Sequence, residues 1–338
     1  MKPVLSQEVT EETERPIHPI HPIPMHFCHR EGREARRGDP AGLLRRFAPR
    51  NDSYSVISSG DWYQTLRSLR FLLCNLVVLV LGSAFALRAA EPVEVLVQGA
   101  EKLEVAEILS ALTDAHKSEI GPFSFWTGRI GPHRIAVSLT GQGLINCTTS
   151  TVLGIEEFHP KLIVNQGTSG AQAPYLTLHD IIVGRRALDY GNFISPVRAA
   201  GEGSAPLAWK PVPQRLRDPA TGKMVEFPTG FAGDPAALAV ALRTLNAQGR
   251  VFAGVIGSAH EVNLELDRVR WSAQTFGMDV EEMESAHVAA VAHAYGIRYA
   301  AFRVVSDAPY EGVPFYPQAA RATAVFTVNF LLNLAPLP

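Results

Sequence analysis

From residue 93 onward, short β-branched runs alternate with helical stripes, and several of the runs stop in glycine or a small polar residue. That alternation constrains the fold more than any other feature of the chain. The run "VEVLVQGA" reads as a strand entering a turn at Gly99, and "EKLEVAEILSALTDAHK" as a helix with a stripe at Leu103, Ala106, Leu109 and Leu112. "FSFWTGRIGPHRIAVSLTGQG" reads as a hairpin and strand, "LINCTTSTVLGIEEF" as a helix, and "PKLIVNQGTSGA" as a buried strand running into a glycine loop. "DIIVGRRALDYG" is the next strand, residues 200–235 are a Pro- and Gly-rich excursion, and "PAALAVALRTLNAQG" is a helix stopped at Gly249. "RVFAGVIGSA" is a strand and "LDRVRWSAQTFG" a helix, and "QAARATAVFTVNFLLNL" reads as a last helix. Strands that alternate with helices predict the α/β class: a single domain over 91–338, with a central mixed, largely parallel twisted sheet flanked by helices. Three strands end in small residues, at Gly141-Gln142-Gly143, Gly167-Thr168-Ser169-Gly170 and Gly257-Ser258. Ligands bind at such carboxyl ends, where glycine lets backbone amides approach closely. Gly167 and Thr168 are therefore candidate binding residues, although each loop taken alone also reads as an ordinary turn.

The first 90 residues have another texture. Residues 1–66 hold scattered Pro, Arg and His, as in "RPIHPIHPIPMHF", with no apolar period, and read as a disordered leader. Residues 67–90 carry Arg67 and Arg70, an uncharged apolar run from Phe71 to Leu87, and an A-x-A pattern at Ala84-Phe85-Ala86. That is the layout of a secretory signal peptide. An uncleaved membrane anchor and a buried helix are the alternatives. Export, to a bacterial periplasm, is the expectation, with a true start downstream of residue 1. N-terminal sequencing of the natural protein checks it, and an intact leader contradicts it. Formal net charge is −2, so the basic footprint of a nucleic-acid binder is missing. The cysteines Cys28, Cys74 and Cys147 have neither metal-ligand nor disulfide-framework spacing.

The chemistry concentrates in "DVEEMESAHVAAVAHAYGIRYAAFRVVSD", residues 279–307. "IRYAAFRVV" predicts a central strand, so Ser306 and Asp307 fall at its carboxyl end. Partial burial there raises a carboxyl pKa and suits a general acid, and a turn cap is the plainer alternative. The Ala-rich stretch predicts a helix that opens on Glu281, Glu282 and Glu284. The helix dipole accounts for the first two. Glu284 lies at the edge of the face carrying Met283, Ala286 and Ala290, where a carboxylate can accept from two hydroxyls at once.

This stretch resembles the signature end of the nucleoside phosphorylase superfamily, closest to its methylthioadenosine/S-adenosylhomocysteine nucleosidase branch. "LIVNQGTSGAQAPYLTLHDIIVG" is similar to that family's glycine loop and following strand, with His179 where the family has glycine. "VLVQGAEKLEVAEIL" is similar to its first strand and helix, including the acid at Glu104. The likeness runs in order over residues 93–336. It implies hydrolysis of the N-glycosidic bond of a purine nucleoside. Asp307 would protonate the leaving base, with Ser306 and Arg303 supporting that strand end. Glu284 would bind the ribose hydroxyls, Met283 would pack on the sugar, and Glu104 would hold the attacking water. It implies no metal or other cofactor. The partner is a small nucleoside, with no nucleic acid, a membrane only if residues 71–87 stay uncleaved, and a second copy of the chain in a homodimer.

Two departures qualify the resemblance. "GSAHEVN" places His260 and Glu261 where an aromatic residue would cover the base; His260 can stack there or be a surface residue. Glu101 replaces an apolar residue near the 5′ end of the sugar. The early loop "GAEKLEVAE" has no Arg for phosphate and carries two acids, which favours water over phosphate as nucleophile. A phosphate-dependent phosphorylase and a non-catalytic nucleoside-binding or storage protein are the competing readings. His287 and His293 read as ordinary helix histidines.

Overall fold

The structure, a computed structural model, describes residues 92–218 and 220–337. The leader at 1–66 and the apolar segment at 67–90 lie outside these residues. Among the described residues no helix is long and apolar enough to cross a membrane.

In chain order the strands are β1 (Val95–Gly99), β2 (Thr113–Ile120), β3 (Phe123–Ile130), β4 (His133–Leu139), β5 (Leu162–Ala171), β6 (Ile181–Asp189), β7 (Phe193–Ile194), β8 (Lys210–Pro211), β9 (Gln214–Arg217), β10 (Met224–Phe227), β11 (Phe231–Ala232), β12 (Val251–Ser258), β13 (Val280–Glu282) and β14 (Arg298–Asp307). The helices are α1 (Lys102–Ser110), α2 (Leu144–Phe158), α3 (Pro235–Ala241), α4 (Leu266–Phe276), α5 (Ser285–Ala294) and α6 (Ala320–Asn333).

The sheet is mixed, as the alternation predicts. β1 pairs in parallel with β4 and β5, and β5 with β14. β14 pairs antiparallel with β6, β6 pairs in parallel with β12, and β12 pairs in parallel with β13. β13 returns antiparallel to the end of β5, so β5, β14, β6, β12 and β13 close a ring. β4, β3 and β2 extend the sheet beyond β1. Alternation of side chains along the strands loads both faces. Val95 and Val97 pack in a layer with α1, α3 and α6, where Phe302 meets Phe326 and Phe330. Leu96 faces the opposite layer, with Cys147, Ile155 and Phe158 of α2 and the alanines of α5.

Three elements differ from the sequence expectation. The helix expected over residues 101–117 ends at Ser110, and Thr113–Ile120 forms edge strand β2. Leu112, the last member of the stripe, packs instead on β3 at Gly128, where an added Cβ would stand 2.6 Å from Leu112 Cγ. β2 is exposed and carries the pair Lys117–Glu119, the kind of charge that protects an open edge. The helix expected over 235–249 stops at Ala241, because Leu242 and Leu245 face solvent and have no layer to join. The third difference concerns the site: Val280–Glu282 is a strand, not the first turn of a helix. Glu284 is the N-cap and α5 begins at Ser285. Within the excursion at 200–235, β8 pairs antiparallel with β7, which precedes it, β9 pairs antiparallel with β10, and β11 joins β6 of the main sheet.

His179 adopts φ 71 before β6. This left-handed conformation costs a non-glycine residue about 1–2 kcal/mol, a strain that glycine would not carry. The His179 N–H donates to Val305 O at 3.0 Å and its carbonyl accepts from Asn246 Nδ2 at 2.8 Å, so the neighbouring strand end holds the strained residue in place.

Candidate active site

The carboxyl ends of β5, β13 and β14 and the loop after β1 open onto one cavity of about 880 Å³. Its centre of charge is Arg303, on β14. The register places Arg303 opposite Gly167, and no other residue fits there: an added Cβ would stand 2.5 Å from Glu104 Oε1 and 2.7 Å from Arg303 Nη1. Arg303 is 1% exposed. Its Nε donates to Ser285 Oγ at 3.0 Å, and Nη2 donates to Asn165 Oδ1 and meets Glu282 Oε2 at 2.6 Å. Nη1 lies 3.6 Å from Glu284 Oε2. Burial opposes its charge, but the carboxylates of Glu282, Glu284 and Glu104 outweigh that and hold the guanidinium protonated.

Each acid around Arg303 is fixed in its own way. Glu104 Oε2 accepts from the N–H groups of Ala100 at 2.7 Å and Glu101 at 3.0 Å, and Oε1 accepts from Thr168 N at 2.9 Å and Thr168 Oγ1 at 3.2 Å. Glu282 accepts from Ser258 Oγ and from the N–H groups of Glu284 and Ser285, so it caps α5 while pairing with Arg303. Glu284 Oε1 accepts from Gly143 N at 2.7 Å, an N–H aimed by the positive φ of 84 at Gly143. Burial, then the Glu282 carboxylate, pushes Glu284 up to about 7 against the pull of Arg303. Cys147 lies behind this group, and burial together with Glu284 and Glu282 raises its pKa and keeps the thiol neutral.

The raised pKa of Glu284 has a measurable consequence. The unfolded carboxyl titrates near 4.5 and the folded one near 7, so the folded chain holds an extra proton between those values. Stability from this group is present below pH 4.5 and is lost as pH rises through 7. Glu284→Gln cannot ionise. Thermal melts across pH are expected to show the variant level with the parent at acid pH and more stable by about 1–3 kcal/mol at alkaline pH. A gap that does not grow with pH contradicts this.

Away from Arg303, Asp307 and Glu281 form a second acidic end. Asp307 Oδ1 accepts from Ser306 Oγ at 2.9 Å, and the one hydrogen of that hydroxyl is shared with Ser169 O at 3.1 Å. Burial raises the Asp307 pKa, with the Ser306 hydroxyl opposing it. Glu281 accepts from Tyr190 Oη at 2.8 Å, Asn263 N at 2.8 Å and Asn263 Nδ2 at 2.6 Å. Burial pushes it up to about 6 despite those donors.

Of the residues singled out in the sequence, Asp307, Ser306, Glu104, Thr168, Glu284, Met283 and Arg303 all line this cavity, and Gly167 makes the room for the Arg303–Glu104 approach. His260 is not brought in. It is exposed, and its ring lies against Gly143, 2.8 Å from where a Cβ would stand. Val313, Phe315, Val262 and Leu264 supply the apolar wall instead. Glu261 lines the cavity and pairs with Arg268 at 3.3 Å.

Sequence reasoning missed Glu282, Glu281, Asn165 and Asn263. The dipole explanation fails for Glu281, a buried strand residue with side-chain partners, and covers only the capping half of what Glu282 does. A signal did exist for Asn165: it is a polar residue inside the apolar run "LIVNQG" and is buried.

A family model described as "Phosphorylase superfamily" matches residues 94–331. A 5′-methylthioadenosine/S-adenosylhomocysteine nucleosidase of Shewanella denitrificans is 25% identical over 244 residues, covering 70% of this chain and 97% of that protein. A Bacillus thuringiensis protein of the same name is 23% identical over 240 residues, covering 70% of this chain and 95% of its own. Among solved structures, an S-adenosylhomocysteine nucleosidase from Streptococcus pyogenes in complex with 5-methylthiotubericidin superposes with a TM-score of 0.57 at 24% identity, covering 72% of this chain and 98% of that one. A futalosine hydrolase mutant of Helicobacter pylori gives 0.56 at 20% identity, covering 71% and 99%. These likenesses bear out the fold expected from the sequence.

Proposed function

The chain belongs to the phosphorylase superfamily, and from that premise we propose that it hydrolyses the N-glycosidic bond of an adenosine-like nucleoside and releases the free purine. The relatives named as 5′-methylthioadenosine/S-adenosylhomocysteine nucleosidases support this reading. The observation that carries it is the division of one cavity into two acidic ends.

At one end Asp307 keeps an elevated pKa and a single hydroxyl partner, so it can hold a proton and pass it to the leaving base. At the other, Glu104, Glu282 and Glu284 surround one arginine. Breaking the bond builds positive charge on the sugar, and fixed carboxylates stabilise it. Glu284 accepts the ribose hydroxyls, and Met283 packs on the sugar beside it. When the ribose supplies those donors, Glu284 ionises and its link to Arg303 tightens.

Glu104 positions the nucleophile. Its roughly four acceptor positions are filled by protein donors, so the Thr168 hydroxyl, its longest bond at 3.2 Å, gives way to the attacking water. Phosphate suits this end poorly. Arg303 donates from Nε and Nη2 to Ser285 and Asn165, pairs with Glu282 through Nη2 and faces Glu284 from Nη1 at 3.6 Å, so a phosphate beside it would meet three carboxylates. Lys102, the other cation lining the cavity, is exposed.

A base-release assay over a nucleoside panel, with and without phosphate, tests the proposal. The expected result is release from adenine nucleosides at a rate that phosphate does not raise. Release that requires phosphate points to the phosphorylase, and binding without release points to a nucleoside-binding protein.

A further inference from the structure

Glu281 is the one buried acid of the cavity for which the steps above have no use. Its position is set by the sheet. Gly170 of β5 pairs with Glu281 of β13 on one side and Asp307 of β14 on the other. Because Gly170 has no side chain, both acids close over it. Asp307 Oδ2 lies 2.8 Å, and Glu281 Cγ 3.4 Å, from the place its Cβ would occupy. Glu281 thus stands beside the group that faces the leaving base and makes none of the contacts around Arg303.

Its own contacts are specific. Oε1 accepts from one donor, Asn263 N, and Oε2 from two, Tyr190 Oη and Asn263 Nδ2. A carboxylate offers roughly four acceptor positions, so one remains, on Oε1. The residues that hold it are themselves buried: Tyr190 is 0% exposed and Asn263 is 8% exposed. Burying a carboxylate on β13 carries a desolvation cost, which the Tyr190 and Asn263 donors offset. The chain thus builds a rigid acceptor at the base end. At neutral pH the group is largely ionised, since burial lifts it only to about 6, so it accepts and does not donate.

We propose that Glu281 reads the purine edge next to the ring nitrogen that Asp307 protonates, accepting a hydrogen bond from an exocyclic amino group and selecting 6-amino over 6-oxo purines. A 6-oxo group would set an oxygen lone pair against the carboxylate and leave the acceptor unpaired. Sites built to bond a substrate N–H discriminate strongly against analogues that lack it. The inference rests on the nucleosidase reading for its kinetic form, but not for its binding form.

The test compares kcat/KM for adenosine and inosine in the parent and in Glu281→Gln, whose amide can donate as well as accept. The adenosine preference is expected to narrow by about tenfold or more. Equal losses on both nucleosides, with the ratio unchanged, overturn the proposal and leave Glu281 a structural residue. If Glu281→Gln does not fold, Glu281→Asp keeps the charge but shortens its reach, and the same narrowing or its absence decides. If the parent releases base from neither nucleoside, the nucleosidase reading fails separately. Calorimetric binding of free adenine and free hypoxanthine then decides the inference: a parent preference for adenine that the variant loses supports it, and equal binding by the parent overturns it.

Discussion

Asp307→Asn is expected to lower the rate of base release by about 10²–10⁴-fold while nucleoside binding stays within a few-fold of the parent. The asymmetry follows from what the substitution removes. Asparagine keeps the size of the side chain and can still accept from Ser306 Oγ, so the strand end at β14 is preserved. What it lacks is a transferable proton. Asp307 is partly buried, its pKa is raised by that burial, and no cation holds it in the ionised state. Single-turnover release and equilibrium titration measure the two halves separately. A variant that releases base at the parent rate would remove Asp307 from the chemistry. A variant that fails to bind would make it a binding group.

Arg303→Met is expected to destabilise the folded chain by about 3–5 kcal/mol, the typical penalty for leaving buried charge without a partner. For a domain of this size that is a fall of roughly 10 °C in the melting temperature. The guanidinium satisfies Ser285, Asn165, Glu282 and Glu284 at once, with almost no access to water. Methionine fills much of the volume but leaves Glu282 and Glu284 as buried acids without a counter-charge. The energetic claim is therefore about the acids. Adding Glu282→Gln and Glu284→Gln to Arg303→Met is expected to recover most of the lost stability, although not the activity. A single variant within about 1 kcal/mol of the parent, or a triple variant no better than the single, would contradict this account of the cluster.

Legibility in the sequence followed the length scale of each feature. Strands such as Arg298–Asp307, Leu162–Ala171 and Val251–Ser258 were readable because burial on both faces leaves a continuous apolar run with a polar stop. Helix ends were less readable. Leu112 continues a helical stripe, yet it is claimed by Gly128 on a strand that no local pattern connects to it. The acids at 281–284 show the same limit at the site. As a local string they look like a dipole-friendly helix start. Only the pairing of Val280 with Ala171, and of Glu281 with Gly170, makes them a strand. That pairing brings Glu282 to Arg303 and Glu281 to Tyr190 and Asn263, contacts made by residues 18 to 91 positions away. Asp307 was readable because its role depends on where its own strand stops. Glu281 was not, because its surroundings are assembled from four other segments, those of Gly170, Tyr190, Asn263 and Asp307.

The central claim is that water, activated between Glu104 and Thr168, replaces the purine on the sugar. Isotope labelling tests it most directly. The protein is incubated with 5′-methylthioadenosine in oxygen-18 water, with and without inorganic phosphate, and the sugar product is analysed by mass spectrometry. The prediction is free adenine together with free sugar in equal amount under both conditions, its anomeric oxygen labelled faster than unlabelled free sugar exchanges in the same water through its open-chain aldehyde. A sugar 1-phosphate formed in the presence of phosphate, or no adenine under either condition, would contradict it.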